Sequence, residues 1–139
     1  MKTYLLDTNI FSDVVTGAHP ATRAAFARHA QDQTTRLCLS VVTEAEIRYG
    51  MAKHSLSKAR RAAIESLFAY VQILPWGAEE AAVYGRLRAR LEAEGITVAA
   101  MDLLIAAQAI AAEAVLVSRD RIFTKIGEIQ VVENWSVDG

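Results

Sequence analysis

Four carboxylates in this chain stand where one secondary-structure element hands over to the next. Asp7 ends the apolar run Tyr4-Leu5-Leu6, and Asp120 follows Val115-Leu116-Val117. Glu46 lies in the segment after Leu37-Cys38-Leu39-Ser40, and Asp102 opens an apolar stretch reaching Ala112. In an open α/β sheet, residues just past the carboxyl ends of the strands share one crevice, where ligands bind. Acids gathered there from distant parts of a chain repel one another unless a divalent cation lies among them. Oxygen ligands without His or Cys suit Mg²⁺ or Mn²⁺ rather than zinc. The pattern implies a metal site suited to phosphate chemistry.

Each acid also has an ordinary explanation. Asp7 can cap the helix that follows it. Thr43-Glu44-Ala45-Glu46 has the form of a capping box, in which Glu46 reaches back to the Thr43 backbone. Asp102 can favour the positive end of its helix dipole, and Asp120 can serve a turn or a cap. Taken singly, these alternatives stay open. Four such acids on the strand-end side of one small sheet argue for a shared role.

The elements that must position them alternate along the chain. Strands are expected at 3–7, 37–40, 71–74 and 115–117, with a short fifth at 130–132. Helices are expected at 9–15, 21–31, 43–53, 56–70, 78–94 and 101–112, and Gly95 and Pro75 supply stops. Apolar strands separated by helices imply a mostly parallel sheet of four to five strands covered on both faces. The expected fold is a three-layer α/β/α sandwich forming a single domain over residues 1–139, without repeat or linker.

Composition narrows the function. The 139 residues are 53% apolar, rich in Ala, and carry a net charge of −1, so attraction to a polyanion must come from a local patch. Candidates for that patch are Arg48, Lys53, Arg86, Arg90, Arg119 and Arg121. Arg86 and Arg90 share a helix face with Glu94, which makes an intrahelical ion pair the simpler expectation there. Arg119, next to the fourth acid, is the best candidate for a phosphate contact. The lone Cys38 excludes an internal disulfide and reads as a buried strand residue in a reducing, cytoplasmic setting. His19, His29 and His54 lack metal-ligand spacing. No segment has membrane-spanning length, and no signal-peptide pattern opens the chain.

Asp7-Thr8-Asn9, Thr43-x-x-Glu46-Ile47-Arg48-Tyr49-Gly50, Asp102-Leu103-Leu104-Ile105-Ala106-Ala107 and Val117-Ser118-Arg119-Asp120 together resemble the PIN domain. Within that family the chain is most similar to VapC-type toxins of bacterial toxin–antitoxin pairs and to the related FitB proteins. The likeness covers nearly the whole chain, with the motifs in the family's order. It favours Glu46 over Glu44 as the second acid. Ser118 stands where many relatives have Thr, which keeps a hydroxyl.

The resemblance implies a Mg²⁺- or Mn²⁺-dependent endoribonuclease. Asp7 and Asp102 would bind the ion directly, with Glu46 and Asp120 completing the site. Thr8, Asn9, Thr43 and Ser118 would orient these carboxylates. It also implies a small VapB-like antitoxin, a homodimer, a toxin–antitoxin hetero-oligomer, and DNA contact only through the antitoxin. Apolar surface for those contacts is expected on 56–70 (Ile64, Leu67, Phe68) and 78–91. Two other classes compete. One is a catalytically idle PIN module inside an antitoxin-bound repressor complex. The other is a small-molecule phosphotransferase with Asp7 as nucleophile; Asn9, and the lack of a Gly-rich phosphate loop, speak against it.

Overall fold

The computed structural model describes residues 1–138. Its strands are β1 (Lys2–Leu6), β2 (Thr35–Ser40), β3 (Gln72–Leu74), β4 (Val115–Val117) and β5 (Val132–Glu133). The helices are α1 (Thr8–Thr16), α2 (Pro20–Gln31), α3 (Val41–Lys53), α4 (Lys58–Tyr70), α5 (Ala78–Ala93), α6 (Ala100–Ala111) and α7 (Trp135–Asp138). A 3₁₀ turn covers Arg121–Lys125. The strands pair in parallel throughout, in the order β3-β2-β1-β4-β5.

Strand alternation divides the core between two layers. Tyr4, Leu6, Leu37, Leu39, Val115 and Val117 face one way, toward α1, α2, α4 and α7. Leu5, Cys38 and Leu116 face the other, toward α5 and α6. Both faces are therefore apolar and covered, the condition under which an all-parallel sheet is stable. Cys38 is fully buried, as expected. Among the described residues no helix is long and apolar enough to cross a membrane.

Several boundaries differ from expectation; β2 starts at Thr35 rather than 37 and α4 at Lys58 rather than 56. Helix α3 starts at Val41 instead of Thr43, because Ser40 Oγ accepts from the Val42 N–H at 3.1 Å and caps the helix. The fifth strand is displaced to Val132–Glu133: β4 pairs Leu116 with Val132 and Val117 with Glu133, leaving Gln130 outside the ladder. Beyond it Asn134 Oδ1 accepts from Ser136 N–H at 3.0 Å, starting α7, a turn that no sequence period signals. Ile64 and Phe68 are core residues, each 7% exposed, so they offer no spare surface. The large apolar side chains left in solvent include Tyr49, Tyr70, Val41 and Met101.

Candidate active site

Strand order decides where a site can form. From β1 the chain moves outward to β2 and β3, then returns across the sheet to β4 on the other side of β1. The carboxyl ends of β1 and β4 are thus a topological switch point, where the outgoing connections diverge and leave a crevice. Asp7 follows β1 and Ser118 follows β4. The Asp7 N–H donates to Val117 O at 2.9 Å, extending the ladder by one bond and fixing the two residues side by side.

Asp7 is 6% exposed and fully engaged. Its Oδ1 accepts from Thr8 N–H at 2.9 Å, the helix cap expected of it. Its Oδ2 accepts from the Ser118 hydroxyl at 2.8 Å and from Asn9 Nδ2 at 3.2 Å. Burial nevertheless raises the Asp7 pKa, against the lowering effect of the Ser118 and Thr8 hydrogen bonds, and the Asp120 charge raises it further.

Glu46 lies on α3, and its Oε1 accepts from Thr8 Oγ1 at a long 3.5 Å. With Ser40 as the cap, Thr43 sits inside the helix and no capping box with Glu46 exists. The ordinary explanation for Glu46 is thereby removed. The Glu46 pKa is raised by burial first, then by the charges of Asp7 and Asp102. Asp102 is in the first turn of α6, whose N-cap residue is Ala99, and it accepts no hydrogen bond among the described residues. Its pKa is raised by burial, then by Asp7 and Asp120. Asp120 caps the 3₁₀ turn through Oδ1, which accepts from Ile122 N–H at 3.0 Å, while its own N–H donates to Ser118 Oγ at 3.0 Å. Capping and clustering therefore coexist at Asp7 and Asp120.

The structure brings Asp7 within electrostatic range of Glu46, Asp102 and Asp120, and Asp102 within range of Glu46 and Asp120 as well. Among the described residues, however, no three His, Cys, Asp or Glu side chains converge closely enough to hold one ion as they stand. The two observations are compatible. Anions that raise each other's pKa also favour rotamers that separate them, and the range of a coulombic effect exceeds the length of a coordination bond. The donor set is oxygen throughout, which fits Mg²⁺ or Mn²⁺.

Of the expected supporting residues, Thr8, Asn9 and Ser118 meet the acids directly. Thr43 does not: it is fully buried and its hydroxyl has no partner among the described residues. Arg119 is turned away from the crevice, with Nε and Nη2 on the two carboxylate oxygens of Asp13 at 2.8 and 3.2 Å. Asp13, 4% exposed, was not anticipated; its signal was an acid in an apolar helix, one turn beyond Asn9. Arg48 is bound by Glu44 and Glu65, and Arg90 by Glu94 and Glu128. Arg86 and Arg121 form no ion pair among the described residues.

Comparison with known proteins places this arrangement in context. The family model described as PIN domain matches residues 4–129. A protein of Rickettsia felis named ribonuclease VapC2 is 30% identical over 133 residues, covering 95% of this chain and 97% of the relative. A Shigella flexneri protein named tRNA(fMet)-specific endonuclease VapC is 28% identical, covering 98% of this chain and all of the relative. Among solved structures, VapBC2 from Rickettsia felis bound to a DNA fragment from its promoter superposes with a TM-score of 0.87 at 28% identity, over 96% of this chain and 98% of that one.

Proposed function

The chain belongs to the PIN domain family, and from that premise we propose that it is a divalent-metal-dependent endoribonuclease, the toxin of a toxin–antitoxin pair. The observation that carries the reading is Asp7 at the switch point, buried, held by Ser118 and Asn9, and raised in pKa together with Glu46 and Asp102. Perturbed carboxylates clustered in a crevice are a functional signature more often than a structural one.

Asp7 and Asp102 would hold Mg²⁺ or Mn²⁺, with Glu46 and Asp120 completing the set. When bound, such an ion activates water and offsets charge at a scissile phosphate. Ser118 and Asn9 fix the rotamer of Asp7 before RNA arrives. Asp102, which accepts no hydrogen bond among the described residues, is the acid best able to turn toward an ion. Water being the nucleophile, the cut leaves a 5′-phosphate and needs no general-base His. Of the candidate patch, Lys53, Arg86 and Arg121 form no ion pair among the described residues and are the cations proposed to meet the RNA backbone. The substrate class follows the names of the relatives: RNA, with tRNA the first to test.

A VapB-like antitoxin is the proposed partner, and it would supply the DNA contact; the Rickettsia felis VapBC2 complex is one solved bound to a promoter DNA fragment. The partly buried Val15, Ile47 and Leu56 leave apolar surface at a shallow groove of about 110 Å³ between α1, α3 and α4 that suits an apolar segment of the antitoxin. A homodimer and a cytoplasmic location belong to the same reading, as does a single domain over residues 1–139.

The test is cleavage of a tRNA pool by partner-free protein with Mg²⁺, with Mn²⁺ and in excess EDTA, beside Asp7→Asn. Cleavage only with metal, lost in the variant, is the expected result. Cutting that persists in EDTA, or 2′,3′-cyclic phosphate ends, overturns the reading.

A further inference from the structure

Arg119 is joined to helix α1 at two points. Its backbone N–H donates to Asn9 Oδ1 at 3.1 Å, and its guanidinium takes both oxygens of Asp13. Asn9 and Asp13 are one turn apart on α1, so a single residue grips one face of that helix twice. The residues on either side of Arg119 are the ones that matter to the crevice. Ser118 donates to Asp7, and the Asp120 N–H donates back to Ser118 Oγ.

We infer that the Asp13–Arg119 pair is a clamp that docks the loop after β4 onto α1 and so sets Ser118 and Asp120 against Asp7. Arg119 is then a positioning residue rather than an RNA contact. The inference rests on the active-site reading above for its consequence, but not for its geometry.

Three features separate this pair from an incidental surface contact. Asp13 is almost wholly buried, with 5% of its side chain exposed, whereas exposed pairs keep both partners in water. The bond is bidentate, which fixes direction as well as distance, and a lysine cannot reproduce it. Among the described residues the other basic side chain near Asp13 is the imidazole of His19, with Nε2 at 4.0 Å, beyond hydrogen-bond range. No other side chain ties the loop to α1 beyond Asn9, which meets Asp7, Ser118 and the Arg119 backbone among the described residues.

The experiment compares Arg119→Gln, Arg119→Lys and Asp13→Asn with the unaltered chain, in two assays without RNA. Hydrogen exchange in EDTA reads the amides of Arg119, Asp120 and Ile122 against those of Leu5 and Leu6 in the central strand. Calorimetric titration reads Mn²⁺ affinity. The expected result is exchange at least about tenfold faster in the loop alone, and Mn²⁺ binding weakened about tenfold or more, in both Arg119→Gln and Asp13→Asn. Arg119→Lys should fall between. Asp13→Asn keeps size and an acceptor oxygen, so it decides the matter if Arg119→Gln, which strands a buried carboxylate, fails to fold. Loop exchange equal to the unaltered chain in Asp13→Asn overturns the clamp. So does a cleavage assay in which Arg119→Gln raises KM with kcat intact while Asp13→Asn changes neither, the signature of an RNA contact. If the unaltered chain binds no Mn²⁺, the metal site falls, and loop exchange still decides the clamp.

Discussion

Ser118 and Asp7, 111 residues apart in the chain, are joined by a hydroxyl-to-carboxylate hydrogen bond of 2.8 Å that is buried on both sides. Parallel pairing of β1 with β4 makes this contact possible, since it ends both strands at the same level. Of the forces lowering the Asp7 pKa, this bond is the largest.

Ser118→Ala should therefore push the Asp7 pKa further up and leave Oδ2 with Asn9 alone. A hydrogen bond to a buried charged group contributes about 1.5 kcal/mol or more. Loss of a residue that orients a ligand typically costs about 10- to 100-fold in metal affinity. Mn²⁺ titration and the cleavage rate of Ser118→Ala should fall within that range. Ser118→Thr, which keeps the hydroxyl, should retain both. An alanine variant with unaltered Mn²⁺ affinity would show that Asn9 alone orients Asp7.

Asp102 sets function against stability. It receives no hydrogen bond, and its pKa is raised by burial and by two neighbouring acids, so its ionised form weakens the metal-free fold. Two charges at contact range interact by about 4 kcal/mol at an effective dielectric of 20. Asp102 is only partly buried, and solvent screens most of that. A gain of about 1 kcal/mol remains for Asp102→Asn in EDTA at pH 7, or roughly 3 °C in melting temperature. The same variant should lose most of the stabilisation that Mn²⁺ gives the unaltered chain. A variant that melts lower in EDTA and still responds fully to Mn²⁺ would make Asp102 a helix-dipole residue only.

Much of this site was legible in the sequence because its parts obey local rules. Apolar strand runs and the helices between them place Asp7, Asp102 and Asp120 at element ends and Glu46 in the helix after β2, on the side of the sheet where such residues share a crevice. What escaped was set by competition or by distance. Ser40 and Thr43 are both good caps three residues apart; the β-branched Val41-Val42 favours an extended reading, yet Ser40 wins and removes the capping box. Arg119 beside an acid looks like a phosphate contact. Its true partner, Asp13, lies 106 residues away on α1, and no local period reveals that pairing. That the carboxylates stop short of converging on one point is likewise a matter of side-chain rotamers, which spacing cannot express.

The stabilisation from Asp102→Asn should depend on pH with a definite sign. A carboxylate whose folded pKa is raised binds its proton more tightly in the folded state, so folding is disfavoured above that pKa and the penalty fades as pH falls. Below the ordinary value of 3.8, Asp102 is protonated in both states and contributes nothing. The difference in melting temperature between Asp102→Asn and the unaltered chain, in EDTA, should therefore be largest near pH 7 and shrink toward zero as pH approaches 3.8. Asp32 and Glu128, whose pKa values are lowered, lose stability on acidification, but they are common to both proteins and cancel in the difference. A difference that stays constant across this range would place its origin in packing rather than charge.

Cell growth distinguishes the toxin from a catalytically idle module that merely joins an antitoxin to DNA. The idle module has no use for an ionised Asp7. Asn at position 7 keeps the helix cap, because Asn and Asp cap equally well, and it leaves the groove between α1, α3 and α4 untouched. Induced expression of the unaltered chain should arrest growth and leave cleaved RNA with 5′-phosphate ends, and Asp7→Asn should do neither. Co-expression of an antitoxin encoded beside the gene should restore growth, and both forms should co-purify with that antitoxin. Soluble, Mn²⁺-binding protein accumulating to high level without harm would sink the toxin reading. Equal arrest by both forms would place the toxicity outside the four acids, since a buried ligand carboxylate cannot be replaced by a neutral amide without loss of hydrolysis.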